Sequence, residues 1–267
     1  MTIDTKPFDH ADLCQGASWE ISDKEALAEQ IARIALGYAH HIQSILAGSG
    51  VTVPRSAADN VVGAIELLTV EGGDPSHRDG WLFQAISYIA AITQDPNGIF
   101  DAPHMQHAAK GLDGLKLEYD ASSNSVISVV IFEDKATKNA RTTIATKKDK
   151  NGKDVSVWAE FSEIEGNRRQ PLITSKISTL LPTVPRVDID EAIERIVWEE
   201  SRKYRVSITV ADTHSTEDGR KRLFKGYDTV ISGKNDRRRA ETLHLADVRV
   251  WLDDLAEMAK LKVKELP

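Results

Sequence analysis

The stretch that most limits how this chain can fold is residues 126–132, Val-Ile-Ser-Val-Val-Ile-Phe, which runs directly into Glu133-Asp134-Lys135. An apolar, β-branched run of this length becomes a buried strand. Side chains two apart on a strand share a face, so Glu133 and Lys135 point one way and Asp134 the other. A second strand-like run, residues 112–119, opens on Asp113. If it pairs beside the first, two carboxylates and one lysine converge at one mouth of a sheet. Such a cluster suits a hard divalent cation and the activation of water.

The rest of the chain supplies helices around that pair. Residues 22–47 carry Leu27, Ile31, Ile34, Ala35, Tyr38 and Ile42 at helical spacing behind Ser22, with Asp23 and Glu25 in the first turn. A second helix follows Pro54 and ends before Gly72, and a third covers 78–93, closed by Asp95-Pro96-Asn97-Gly98. After the two strands, Val155, Val157 and Trp158 read as a third strand or a helix start. A helix is expected at 189–200, a period-2 strand at 203–210 and a long terminal helix at 237–262. The expected architecture is α/β with a mixed sheet. Residues 1–73 are expected to form an N-terminal helical extension, and 74–267 the domain that carries the site.

Composition narrows the class. The 267 residues are 41% hydrophobic and 28% charged, ordinary for a globular chain. No apolar run approaches the roughly 18 residues that span a bilayer, and the N-terminus lacks the apolar segment of a secretory signal. One cysteine, Cys14, excludes an internal disulfide and fits a reducing compartment, so a cytoplasmic location is expected.

The net charge of −7 hides two basic stretches. One holds Lys135, Lys138, Arg141, Lys147, Lys148, Lys150 and Lys153 against Asp149 alone. The other holds Arg220, Lys221, Arg222, Lys225, Lys234, Arg237, Arg238 and Arg239 against Asp228 and Asp236. A basic face on an acidic protein can hold a phosphate backbone through counterion release. The ordinary explanation is a solvated charged surface.

The chemistry follows from the residue types. Mg²⁺ takes one or two protein carboxylates and keeps several waters. Asp113 and Glu133 fit that need, with the backbone carbonyl of Asp134 as a third ligand. Lys135 would orient water or offset phosphate charge, and Lys138 and Arg141 would position phosphates. Glu133-x-Lys135 is the single Glu-x-Lys in the chain. The competing explanation is an exposed ion pair at a sheet edge, with Asp113 as a turn former before Gly114.

Other candidates are weaker. His104 and His107 have no third ligand nearby, and there is no Walker-type phosphate loop, so the chain is not itself an ATPase. Trp158 and Trp198 read as core residues, and Tyr227 as a base-stacking candidate. Cys14 reads as part of a mobile terminus.

Asp113, followed twenty residues on by Glu133-Asp134-Lys135 at the end of an apolar strand, resembles the PD-(D/E)xK nuclease superfamily, whose restriction-endonuclease-like core runs α-β-β-β-α-β. Three stretches are also similar to the nuclease subunits of Hachiman anti-phage defence systems: Lys110–Leu115, Phe132–Lys135 and Phe224–Asp228. The resemblance implies a DNA nuclease dependent on Mg²⁺, with Mn²⁺ as a substitute. Asp113, Glu133 and Lys135 would be catalytic, and Asp113, Glu133 and Asp134 would hold the metal. Lys138, Arg141, Lys225, Arg237, Arg238 and Arg239 would line the DNA. It further implies a role in antiviral defence beside a helicase partner. The chain departs from the pattern in lacking Pro before Asp113. Where many members carry a Glu on the first core helix it offers Gln84, a weak accessory ligand. The alternative is a catalytically silent nuclease-like scaffold that binds DNA or a partner protein.

Overall fold

The computed structural model describes residues 2–46, 58–107, 111–120, 122, 125–181, 189–197 and 201–266. The chain opens with two strands, β1 (Ile3–Asp9) and β2 (Gln15–Ile21), and four helices follow: α1 (Lys24–Ala35), α2 (Ala39–Leu46), α3 (Ala58–Leu67) and α4 (Ser76–Gln94). A three-strand meander comes next: β3 (Ile99–Phe100), β4 (Gly114–Asp120) and β5 (Ser125–Lys135). Helices α5 (Ala140–Ala145), α6 (Val157–Glu165), α7 (Gln170–Leu180) and α8 (Ile189–Val197) lead to β6 (Arg202–Val210). Short helices α9 (Glu217–Leu223) and α10 (Tyr227–Val230) then precede β7 (Arg238–His244) and the terminal α11 (Val248–Glu265).

These strands form one seven-stranded sheet in the order β1-β2-β7-β6-β5-β4-β3. Strands β2, β7, β6 and β5 run parallel, while β1, β4 and β3 are antiparallel to their neighbours. Four consecutive parallel strands send their carboxyl ends to one edge, the edge where open α/β sheets bind ligands. β5 delivers Glu133 and Lys135 there.

Helices cover both faces. On one face α1, α2, α3, α4 and α11 pack over Trp19 and Leu243 in a single core. On the other, Leu115, Ile131, Tyr204, Val206 and Ile208 meet Val157, Phe161, Ile164 and Tyr227. α1 begins at Asp23, whose carboxylate accepts from the Ala26 N–H, and the chain breaks before α2 at Gly37, with φ of 91°.

The α/β class and mixed sheet match expectation, and so do the spans of β4, β5 and β6 within two residues. Two expectations are corrected and one open alternative is decided. The segment 1–73 is not purely helical. Its first strands, β1 and β2, widen the sheet, and α1–α3 share one core with α4 and α11. Of the two readings of residues 155–158 the helix start holds, because Ser156 caps α6 by accepting from the Ala159 N–H. The expected terminal helix from 237 is a strand, β7, followed by a helix that starts at Val248, capped by Asp247. Pro54, Lys110, Pro182, Pro185 and Trp198 lie outside the described residues. No helix among the described residues is long and apolar enough to cross a membrane.

Candidate active site

The antiparallel ladder ends with Gly114 paired to Phe132, so Asp113, the residue before Gly114, and Glu133, the residue after Phe132, lie just beyond its last pair. Glycine suits residue 114 because a Cβ there would lie 2.9 Å from the Phe132 ring. Glu133 and Lys135, two apart on β5, share a face as the strand period requires. The Lys135 ammonium forms a direct ion pair with Glu133 Oε1 and stands 3.5 Å from Asp113 Oδ2. The three expected residues are therefore together.

A fourth joins them. Glu160 Oε1, on the first turn of α6, lies 4.0 Å from the same ammonium. Three carboxylates from three separate elements thus share one lysine. Glu133 is 2% exposed. Burial, and then the neighbouring charges of Asp113 and Glu160, push its pKa well above the usual carboxylate value, against the opposing pull of Lys135. Burial acts against the Lys135 charge, but Glu133, Asp113 and Glu160 outweigh it and raise its pKa, so Lys135 is a firm ammonium.

Asp113 is held from two sides. Gln84 Nε2 donates to Oδ1 at 2.7 Å, and the Asp134 backbone N–H donates to Oδ2 at 2.9 Å. Gln84 is thus a donor that orients Asp113, where the sequence suggested a ligand. The Asp134 carboxylate points to the opposite face, as the strand period dictates, and accepts from Ser87 Oγ at 2.7 Å. Ser87 Oγ in turn accepts from Arg205 Nη1 at 2.9 Å, and Arg205 pairs with Glu241 at 2.8 Å. Burial raises the Asp134 pKa to about 7, although Arg205 pulls it down. The Asp134 side chain is therefore a buried support behind the site, which leaves only its backbone facing Asp113.

A cleft of about 300 Å³ opens beside Asp113 and Lys135, between the start of α4 (Ser76, Gly80, Gln84) and Thr137, Lys147 and Arg249. Two roomier hollows, of about 620 and 610 Å³, lie elsewhere and contain none of these carboxylates. The smaller cleft is the candidate site because Asp113 and Lys135, both in contact range of the buried Glu133 cluster, line it.

The expected DNA-contacting arginines fare differently. Arg237 is buried, pairing with Glu165 at 2.9 Å and donating to the Arg202 carbonyl. Arg238 is 2% exposed and donates to the carbonyls of Leu13, Asp12, Ile231 and Gly233. Arg239 pairs with Glu118 at 2.5 Å. Arg237 and Arg238 are tied into the interior and the half-buried Arg239 is engaged by Glu118, so the assignment of the three to DNA is withdrawn. Arg141 donates to the carbonyls of Leu223 and Lys225. Lys138 and Lys225 are on the surface, Lys138 within 3.2 Å of Asp247. Lys147 is exposed and lines the cleft that Asp113 and Lys135 also line.

The remaining candidates resolve as follows. Tyr227 is fully buried, stacked on Trp158 with centroids 4.6 Å apart, and cannot stack on a base. His104 and His107 face separate backbone carbonyls, those of Leu112 and Leu67. Cys14 is buried, its thiol pushed up to about 12 by burial, and does not sit in a loose terminus.

No protein-family model, curated protein or solved structure matches the chain.

The donor set around Lys135 is all carboxylate oxygen, the chemistry of a hard cation. Among the described residues no group of three His, Cys, Asp or Glu side chains is spaced to hold a metal by itself. A cation there would have one or two carboxylates, Asp113 and Glu133, and water for the rest, which is the habit of Mg²⁺.

Proposed function

We propose that this chain is a metal-dependent nuclease that hydrolyses phosphodiester bonds in DNA. The observation that carries the reading is the meeting of Asp113, Glu133 and Lys135 at the carboxyl edge of the parallel strands, next to a cleft. The order α4, β3, β4, β5, intervening helices and β6 agrees with an α-β-β-β-α-β restriction-endonuclease-like core, and supports that finer assignment of the fold.

Asp113 and Glu133 would hold Mg²⁺, which supplies Lewis-acid polarisation of the phosphoryl oxygen and a more acidic water. The chain's own groups do the rest. Gln84 and the Asp134 N–H fix the Asp113 carboxylate before substrate arrives, so no reorganisation is needed during the reaction. Lys135, an ammonium beside Asp113 and Glu133, would offset negative charge at the phosphate. Lys147 would position the backbone by charge alone and carry no sequence information. By the resemblance noted above, the setting is antiviral defence beside a helicase partner.

The test is plasmid degradation in Mg²⁺. Glu133→Ala and Lys135→Ala each abolish it in a folded protein; cleavage retained by either variant removes the assignment. A second reading, a catalytically silent scaffold, draws on the internal neutralisation of Glu133 by Lys135. It predicts wild-type protein that binds DNA and leaves it intact at every Mg²⁺ concentration.

A further inference from the structure

We propose that the Lys135 ammonium is the resting occupant of the position a divalent cation takes between Asp113 and Glu133, and that Glu160 receives that ammonium when the cation enters. The inference rests on the nuclease reading and adds to it one residue and one exchange of cations.

The charge count motivates it. Asp113, Glu133 and Glu160 bring three carboxyl groups to one ammonium, with Arg169 shared between Glu160 and Glu163 on the far side. A divalent cation would offset the excess of acid around Lys135. Glu133 is 2% exposed and in direct contact with Lys135. A buried carboxylate stripped of its only cation is strongly unfavourable, so Lys135 leaves Glu133 only as another cation arrives.

Geometry supplies the destination. Lys135 stays tethered, but its four-carbon stem is flexible and its ammonium has no preferred direction. Of its carboxylate neighbours, Glu160 alone is neither across the ladder nor on the same strand. It stands on α6, 4.0 Å away, just outside hydrogen-bond reach. Its other oxygen is 3.8 Å from Arg169 Nη1, while the Arg169 guanidinium sits closer to Glu163, at 3.2 Å. Glu160 therefore has acceptor capacity to spare on the side facing Lys135. A short swing of the ammonium frees both Asp113 and Glu133 for the cation. It also keeps the positive charge beside the cleft, where phosphate binds.

Glu160 is a positioning residue in this scheme, and calorimetric titration with Mn²⁺ tests it without reference to cleavage. Lys135→Met, with no placeholder, binds Mn²⁺ about tenfold tighter than wild type. Glu160→Gln, with no destination, binds it about tenfold weaker, and Glu160→Asp recovers most of the loss. In the double variant the Glu160 change has no further effect, because no ammonium needs rehousing. Equal weakening by Glu160→Gln in the Lys135→Met background would make Glu160 a distant charge and overturn the exchange. So would unchanged affinity in Lys135→Met. If Lys135→Met does not fold, the Gln and Asp variants of Glu160 decide the matter: an affinity indifferent to Glu160→Gln overturns the proposal. Wild type that cleaves DNA yet fails these comparisons refutes the exchange alone. Absence of Mn²⁺ binding and of cleavage in every variant refutes the nuclease reading with it.

Discussion

The two ends of the β4–β5 pair carry opposite electrostatic designs. At one end Glu133 is a buried carboxylate among carboxylates, with a single lysine between three acids. At the other, Glu118 is a carboxylate among cations. Arg239 lies at 2.5 Å, Lys203 at 2.7 Å and Lys116 at 3.7 Å, and Ser128 donates to it as well. Burial raises the Glu118 pKa, but Arg239, Lys203 and Ser128 outweigh it and hold it down at about 2. Glu133 moves the other way. The same residue type on the same pair of strands thus serves two purposes. The Glu118 cluster is satisfied, so its removal harms the fold. The Glu133 cluster has an excess of negative charge that the fold tolerates, and such unresolved cost is typical of a functional site.

The comparison can be broken by mutation. The largest effect on stability is expected outside both clusters, at Arg238, whose guanidinium serves four backbone carbonyls. Arg238→Ala lowers unfolding free energy by about 3 kcal/mol or more in urea titrations. A mild surface-like effect, together with weakened DNA binding, would return Arg238 to the nucleic-acid interface. Next, Glu118→Gln destabilises by about 2 kcal/mol at neutral pH, whereas Glu133→Gln is neutral or stabilises by about 1 kcal/mol. Equal destabilisation by both would erase the distinction drawn here.

The pH dependence sharpens it further. A depressed carboxyl pKa contributes stability that is complete above the unfolded value and lost as pH falls through the folded one. The Glu118 contribution is therefore present above about pH 4.5 and disappears towards pH 2, so the Glu118→Gln penalty shrinks over that range. Asp134 has the opposite sign. Between its ordinary 3.8 and its folded value of about 7, the unfolded chain releases a proton that the folded chain keeps, and stability falls as pH rises. Asp134→Asn, which still accepts from Ser87, flattens that slope; an unchanged slope between pH 4 and 7 would contradict the burial argument. The smallest effect is at Lys147, where Lys147→Ala weakens DNA binding a few-fold and reduces its salt dependence by about one phosphate contact.

Particular residues explain what the sequence made legible. The run 126–135 announced its strand because burial on both faces demands apolar, β-branched side chains, and the two-residue period then fixed which way Glu133, Asp134 and Lys135 point. Asp113 was legible because a short connection after β4 favours antiparallel pairing. Glu160 was not, because a helix starting twenty-two residues after the end of β5 gives no sign of which turn will face the strand. The Arg237-Arg238-Arg239 run misled for a related reason. Charge suggests surface, yet these guanidiniums satisfy buried carbonyls and carboxylates, a role visible only once β7 is known to lie between β2 and β6. β1 and β2 were missed because Asp4, Lys6, Asp9 and Glu20 dilute the apolar alternation of strands at the sheet's edge.

The proposed role of the Glu133 cluster is hydrolysis of phosphodiester bonds. Supercoiled plasmid incubated with purified protein in Mg²⁺ tests it most directly, with Glu133→Gln and a chelator as controls. The account predicts cleavage by the wild type that stops with the chelator, and none by a Glu133→Gln protein that is folded and at least as stable. Cleavage by Glu133→Gln at the wild-type rate would contradict it.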